Sequence, residues 1–374
     1  MRAPKSFEEG GNVSGSYTAT IYRAAGNTDG TPTHVWRNAS DDTNSFNVSW
    51  LSNPLYAAST AYLQLSESQD AVESAQLLTG DCQLTGFTDG AAANVCGVTV
   101  EGLSPGTTYY YRVGDGTHWS EIRNFSTGYE NTAFHALILG DLQESNNTTL
   151  SGILNHLDLA DYDLAIQTGD LVDSGGNYGY WDDTLSMLEK LDMDRLFSLG
   201  NHEAEGGLPI ATLMYHQSNQ DYYSVEYGNV YIASIAHNGG TVGYAAALDW
   251  LVKDAAASDA TWKILVTHQP AYYTNTEGGS ENANALIPAA VQEAGIDVVL
   301  SGHDHSYART EPLWDGDVNE ENGVTYFICG SLGEKSYTVT ENPNFHFAVT
   351  SDDFNAVYLT LSTTSDTLTI NAYD

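Results

Sequence analysis

Seven candidate metal ligands stand out in five short polar motifs, each directly after an apolar run. The motifs are Gly140-Asp141-Leu142-Gln143, Gly169-Asp170-Leu171-Val172-Asp173, Gly200-Asn201-His202-Glu203, Thr267-His268-Gln269-Pro270 and Gly302-His303-Asp304-His305. They supply Asp141, Asp170, Asn201, His202, His268, His303 and His305. Oxygen and nitrogen donors of this kind suit hard-to-borderline cations. Seven are more than one ion needs, because a catalytic ion keeps an open position. The set therefore predicts two ions sharing a carboxylate, an arrangement suited to in-line displacement at phosphorus. The expected chemistry is hydrolysis of a phosphate ester.

Each residue type has a reason to be there. A Gly before Asp141 and Asp170 lets the backbone turn sharply and carry the carboxylate to a sheet edge. One Asp after a Gly is an ordinary turn residue, so the reading rests on the set. His303 and His305 are two apart and share a side of an extended segment, where each can offer a nitrogen to a different ion. Asn201 offers only an amide oxygen, a weak ligand that leaves its ion Lewis acidic. His202 beside it is then free to act as general acid.

The elements that must position these groups are legible as patterns. Residues 1–128 read as an all-β domain, with alternating strands at Phe46–Trp50 and Ala61–Leu65, a turn at Leu103–Gly106 and a strand at Thr107–Val113. Short strands punctuated by Gly and Pro favour a β-sandwich. Residues 129–374 read as α/β. Ala136–Leu139, Leu164–Ile166, Leu196–Leu199, Ile264–Val266 and Val298–Leu300 are apolar runs, interrupted only by Ser198, each leading into one motif. Leu150, Ile153, Leu154 and Leu157 form a helical stripe, as do Leu248, Leu251, Val252 and Ala255; Leu286, Ile287 and Val291 precede a terminating Gly295. Such strands imply a sheet covered on both faces. All five motifs then fall at the C-terminal ends of core strands, where open α/β sheets bind ligands.

Composition narrows the partners. With 374 residues the chain has room for two domains, and no apolar run reaches membrane-spanning length. The net charge is −37, from 49 acidic and 12 basic residues spread along the chain. That field opposes nucleic-acid polymers, whose binding depends on Lys and Arg. It also repels small phosphate esters unless bound metal reverses the local sign. A salty habitat softens both effects, since the Debye length falls to ~3 Å at 1 M salt; a halophilic or acidic setting is the first expectation, an acidic secreted protein the alternative. The opening Met1–Glu9 lacks the apolar stretch of a signal peptide. Either the chain is cytosolic or a leader has been removed, and an extracellular or cell-surface location is expected. Cys82 and Cys96 flank a polar, turn-rich loop and are expected to pair, contributing ~3 kcal/mol in an oxidising compartment. Cys329, inside an apolar strand, is expected to be a core thiol.

From about residue 132 to the end, the motifs resemble those of the calcineurin-like metallophosphoesterases. More narrowly, Tyr222–Tyr231, Val299–Tyr307 and Arg309-Thr310 resemble the purple acid phosphatases, and Pro105–Gly114 resembles the fibronectin-III-like domain that precedes their catalytic domains. The resemblance implies a fibronectin-III-like sandwich followed by a four-layer αββα domain. It implies that Asp141, Asp170 and His305 hold one ion, and that Asp170, Asn201, His268 and His303 hold the other, with Asp170 bridging. A metal-bound hydroxide would attack phosphorus and His202 would protonate the leaving oxygen, giving hydrolysis of phosphate monoesters.

Two departures from that family matter. Where purple acid phosphatases place a Tyr ligand for ferric iron, three residues after the bridging Asp, this chain has Asp173. No purple band is therefore expected, and two ions drawn from Mn, Zn or Fe(II) are. Gln143 stands where many relatives outside the purple group place a His; its amide oxygen either completes the first ion's shell or bonds a metal-bound water. Plant relatives carry further His after the fourth motif, but Ala271–Glu281 has none. Substrate grip is expected from Tyr272, Tyr273 or His216, with His237 facing the cleft and Arg309 steadying a phosphate as weaker readings. Phosphodiester or nucleotide hydrolysis is the close alternative. A surface binding protein with a vestigial phosphoesterase site is the remote one.

Overall fold

In the first half of the chain, alternation of apolar and polar side chains builds strands. The computed structural model describes residues 22–40, 44–56, 60–128, 133–143, 147–204, 221–240, 242–276, 279–332, 335–340, 342–354 and 356–374. Eight strands form the N-terminal domain: β1 (Arg23–Ala24), β2 (Thr33–Asn38), β3 (Phe46–Ser52), β4 (Thr60–Ser66), β5 (Leu77–Gly86), β6 (Ala91–Val100), β7 (Thr108–Gly114) and β8 (Arg123–Ser126). Seven of them run in the order β2-β3-β6-β5-β4-β7-β8, and β1 pairs in parallel with β6. Strand β5 turns the corner of the sandwich, pairing with β4 through Leu77–Asp81 and with β6 through Asp81–Gly86. Phe46, Val48 and Trp50 of β3 meet Leu63, Tyr111, Val113 and Phe125 in the core between the layers. Cys82 and Cys96 face each other across β5 and β6 and form the expected disulfide.

The second half alternates strands and helices, and two sheets result. The first contains β9 (Phe134–Leu139), β10 (Leu164–Gln167) and β11 (Asp194–Phe197), all parallel, with the antiparallel pair β21 (Tyr358–Thr363) and β22 (Leu368–Tyr373) beside β9. The second has the order β12 (Tyr222–Tyr227), β13 (Val230–Ile235), β14 (Trp262–Thr267), β15 (Val298–Ser301), β19 (Thr325–Cys329), β16 (Tyr307–Thr310), β20 (Phe347–Ser351). Leu313–Trp314 and Asp317–Val318, β17 and β18, make a small separate hairpin. Helices α1 (Asn147–His156) and α2 (Tyr178–Leu188) contribute Leu150, Leu154, Trp181, Leu185 and Leu188 to the core around the first sheet. After the short α3 (Asn201–Ala204), α4 (Tyr244–Ala255) and α5 (Glu281–Ala294) bury Leu248, Leu251, Ile287 and Val291 against the second sheet. Leu286 does not join that face and is exposed. The sheets face each other through Ile138, Ile166 and Leu196 on one side and Ile232, Ile264, Val266 and Leu300 on the other. The result is four layers, α, β, β and α. No helix among the described residues is long and apolar enough to cross a membrane.

The two halves share a sheet, which the sequence patterns do not reveal. Strand β2 of the N-terminal domain pairs in parallel with β11, aligning Arg37 with Asp194 and Asn38 with Arg195. The Arg37 guanidinium lies 3.1 Å from the Asp194 carboxylate across that seam. Trp36, Leu51, Phe87, Ala91 and Val95 of the N-terminal half pack into the same core as Leu164, Leu196 and Trp181.

A buried imidazole fastens the seam from the side. His34 of β2, only 6% exposed, places Nε2 2.9 Å from Asp182 and Nδ1 3.1 Å from Glu189, both carried by or adjoining α2. Burial disfavours its cation, but the hydrogen bonds to Asp182 and Glu189 outweigh it and raise the His34 pKa above 6.5. The same bonds to His34 lower Asp182 and Glu189 below 3.8 and 4.5. A raised His pKa contributes stability that is complete below 6.5 and is lost as pH climbs through the folded-state value. The lowered carboxylates contribute stability lost in acid, so this contact is strongest between about pH 4.5 and 6.5. Tyr178 bonds to Asp182, and Arg123 lies near Glu189. Urea midpoints of the native protein should fall from pH 6.5 to 8.5 relative to those of His34→Asn, a change that keeps a residue tolerant of the positive φ at this position. Parallel pH profiles for the two proteins would remove His34 from the account.

Candidate metal centre

Six parallel strands in two sheets point their C-terminal ends to one edge of the molecule. From the first sheet, β9 delivers Asp141, β10 delivers Asp170 and β11 delivers Asn201 and His202 at the start of α3. From the second, β13 delivers His237, β14 delivers His268 and β15 delivers His303 and His305. The edges are held together there: the Ser198 hydroxyl donates to Ile235 O at 2.9 Å and Ser234 to Phe197 O at 2.7 Å.

The glycines before the ligands serve close approach. A Cβ on Gly200 would collide with Asp170 Oδ1 and the Asp170 amide, and one on Gly302 would collide with Asp141 Oδ1. Asp170 and His303 themselves adopt left-handed conformations, φ 50° and 66°, which non-glycine residues seldom hold without surrounding constraint. For Asp170 that constraint is Glu203. Its buried carboxylate accepts the amides of Asp170 and Gly200 at 2.9 Å each, Leu171 at 2.6 Å and Val172 at 3.3 Å. Burial, then the adjacent Asp170 carboxylate, push the Glu203 pKa up, and the N–H donors work against that.

Four ligand atoms converge around His268. Its Nδ1 donates to Thr168 O at 2.9 Å, which fixes the tautomer and leaves Nε2 to face the centre. That Nε2 lies 3.1 Å from Asn201 Oδ1, 3.1 Å from His303 Nδ1 and 3.2 Å from Asp170 Oδ2. Beside it, Asp141 Oδ2 is 3.0 Å from His305 Nε2, and His305 Nδ1 donates to Lys335 O at 3.1 Å. Gln143 Nε2 is 2.8 Å from the same His305 nitrogen, while its Oε1 is buried without a hydrogen-bond partner.

The distances around His268 are those of ligands on one ion, and the Asp141–His305 pair has the same spacing. Ligands at about 2.0–2.2 Å from an ion stand roughly 3.0–3.4 Å apart along the edges of its coordination polyhedron. The electrostatics agree with the geometry. Burial disfavours the His268 cation, yet the Asp170 carboxylate raises its pKa to about 10. Burial likewise opposes ionisation of Asp170, but His268 holds it below the usual carboxylate range. The donor set thus calls for positive charge, and a metal ion would release that proton. Burial and then His268 depress His303 to about 3, leaving a neutral ligand nitrogen.

His202 is held differently. Its Nδ1 donates to Asp173 O at 2.6 Å, and its backbone N–H bonds Asp170 Oδ1 at 2.9 Å. The free Nε2 stands 3.9 Å from Asp170 Oδ2, at the margin of the ligand cluster.

Two domain families match the chain. The calcineurin-like phosphoesterase family matches residues 134–307, and the purple acid phosphatase N-terminal domain family matches residues 32–127. The chain carries a calcineurin-like metallophosphoesterase domain behind a purple acid phosphatase N-terminal domain. It is 28% identical over 280 residues to purple acid phosphatase 22 of Arabidopsis thaliana, covering 69% of this chain and 63% of that protein. Purple acid phosphatase 21 of the same plant is 26% identical over 261 residues, covering 64% and 58%. The chain therefore spans about three fifths of the length of these curated relatives. A purple acid phosphatase from yellow lupin (Lupinus luteus) seeds shares the fold, with a TM-score of 0.74, 16% identity and coverage of 92% of this chain and 72% of that one.

Within the metallophosphoesterase domain, the structure corrects part of the expected substrate grip. Tyr272, 5% exposed, lies in the core under α4 and α5, its ring edge-on to Tyr326 and Phe345, and it cannot touch a substrate. Tyr273, half-buried, packs edge-on against Phe345. Arg309 lines a cavity of about 390 Å³ with Trp262, Asp297 and Thr325, at the opposite ends of the strands from the motifs. His216 lies outside the described residues. His237 does reach the cluster, its ring centroid 5.8 Å from that of His268 and 6.0 Å from that of His303; burial, then His268, depress it to about 4.

Some participants went unassigned in the sequence. Glu203 and Asp304 stand inside the motifs, but nothing in their spacing indicates that they bind backbone amides. Buried Asp304 accepts the Thr274 amide at 2.6 Å and the Asn275 amide at 3.2 Å, tying the segment after His268 to the His303–His305 segment. Tyr337 lies 5.0 Å from the His305 ring, and no local pattern could have shown it.

Proposed function

We propose that this chain hydrolyses phosphate monoesters at a dinuclear metal centre. Asp141, Asp170 and His305, with Gln143 at their side, hold one ion. Asp170, Asn201, His268 and His303 hold the other. The observation that carries the reading is the convergence of these groups from two sheets at coordination-edge spacing. Membership of a dinuclear-metal-dependent family supports it. Mn, Zn and Fe(II) suit this donor set, because position 173 offers an Asp and no phenolate. Bound there, the ions supply Lewis acidity, lowering the pKa of water and neutralising charge on the phosphate oxygens.

The chain's own residues supply the rest. Glu203 and Asp304 keep the ligand loops in register. The Asp173 carbonyl holds the His202 ring, so that protonated Nε2 is directed at the ester oxygen. As a water oxygen bonds to phosphorus and the bond from phosphorus to the ester oxygen breaks, the ester oxygen keeps the electron pair and takes the Nε2 proton, so that phosphate and an alcohol are released. The disulfide between Cys82 and Cys96 fits an oxidising, extracellular or cell-surface setting, and the boundary between domains falls near residue 128.

Elemental analysis with turnover of p-nitrophenyl phosphate and bis-p-nitrophenyl phosphate, with and without added Mn, Zn and Fe, tests the reading. Two ions per chain with preference for the monoester are expected. Preference for the diester would move the assignment to a phosphodiesterase, which the same centre could serve. In His202→Ala, metal content should be retained while kcat falls by ~10²–10⁴, the usual scale for general acid catalysis. An unchanged kcat would remove His202 from the mechanism.

A further inference from the structure

We propose that the N-terminal domain helps to position the proton donor of the metallophosphoesterase domain, and that Thr88 is the positioning residue through which it does so. The proposal rests on the reading of His202 as that donor.

The contacts form a short continuous path. The tip of the β5–β6 hairpin, Phe87 to Gly90, is closed by the Phe87 amide bonding Ala91 O at 2.8 Å and the Gly90 amide bonding Phe87 O at 3.1 Å. Phe87 inserts beside Tyr178 at the start of α2, with ring centroids 5.3 Å apart. At this tip Thr88 bonds Gly176 O twice, through its amide and its hydroxyl, both at 2.8 Å. One residue earlier, the Gly175 amide donates to His202 O at 2.9 Å. Two residues before that, Asp173 O accepts His202 Nδ1. The His202 main chain and ring are thus both held by segment 173–176, and the far end of that segment is held by the other domain.

The sequence of the segment explains why an outside anchor matters. Asp173-Ser174-Gly175-Gly176-Asn177 contains two adjacent glycines, which have no side chain to pack and the greatest backbone freedom of any residue. Its conformation must come from hydrogen bonds. Trp181 Nε1 supplies one, to Gly175 O at 2.8 Å, and Asn177 N bonds Ser174 O at 3.0 Å. Thr88 supplies two more from outside the domain. Its hydroxyl therefore biases where the Asp173 carbonyl stands, and with it the direction of His202 Nε2.

A proton donor matters most when the leaving oxygen is basic, and that distinguishes positioning from general stability. The native protein, Thr88→Val, Thr88→Ser and His202→Ala should be compared on p-nitrophenyl phosphate, phenyl phosphate and an alkyl phosphate, with metal content and urea midpoint measured for each. Thr88→Val should lower kcat on the alkyl ester by about three- to tenfold, the factor one neutral hydrogen bond carries. On p-nitrophenyl phosphate it should lower kcat less than about twofold, with KM and metal content unchanged, and Thr88→Ser should restore the native profile. An equal loss on all three esters, no loss on any, or failure of Ser to rescue would overturn the proposal while leaving His202 in place. If His202→Ala itself shows no dependence on the leaving group, the proton-donor reading fails and the positioning role fails with it.

Discussion

Asp170→Asn leaves a folded protein that binds less than one ion per chain and turns over more than about 10⁴-fold more slowly, a loss of roughly 5.5 kcal/mol of transition-state stabilisation. Asn is the informative replacement because it tolerates the left-handed backbone at this position and keeps the side-chain volume. It preserves one oxygen but removes the negative charge and the second anionic oxygen. In the native arrangement Oδ1 accepts the His202 amide and Oδ2 lies 3.2 Å from His268, so both oxygens are already committed to the centre. An amide nitrogen at either place would direct N–H at a donor or at an ion. Elemental analysis and steady-state turnover decide the matter, and a variant carrying two ions with near-native kcat would sink the bridging assignment.

Glu203→Gln is expected to be nearly as damaging as Glu203→Ala, each lowering stability by about 3–5 kcal/mol and metal affinity with it. Four backbone amides point at this carboxylate, and a carboxylate accepts on both oxygens. A glutamine accepts on one oxygen only and would turn its NH₂ toward two of those donors. Each buried amide left without an acceptor costs about 1–3 kcal/mol. The loop that loses them carries Asp170, so the bridging oxygen would shift as the fold weakens. Urea denaturation of the metal-free proteins separates the two effects. Gln at near-native stability would show that the pocket adapts and that Glu203 is not the clamp.

How much of this was legible depended on whether the information is local. The convergence of the motif residues was, because this fold presents them just past apolar strands, as with Ile166 before Asp170 and Leu300 before His303. The alternation of strands and helices pointed to a sheet covered on both faces, and the four layers came from the family resemblance; the pairing of Cys82 with Cys96 followed from the loop between them. The substrate-facing residues were not. Tyr272 follows the fourth motif closely, as a grip residue would, yet the chain turns it inward against Tyr326 and Phe345, partners far away in sequence. Arg309 misled for a related reason: the strand that carries it runs antiparallel to β19 and takes it to the other end of the sheet. The pairing of β2 with β11 left no trace in either pattern, since edge-to-edge hydrogen bonding uses backbone groups that every residue has.

That seam limits how the protein can be taken apart. A sheet edge is a row of unsatisfied amides and carbonyls that attracts whatever strand it meets. Cutting near residue 128 would bare β2 on one fragment and β11 on the other, together with the apolar faces of Trp36, Leu51 and Phe87. Neither fragment would be a faithful miniature of its half. The familiar picture of a catalytic module with a detachable adaptor does not hold for this molecule; the adaptor is a wall of the same room.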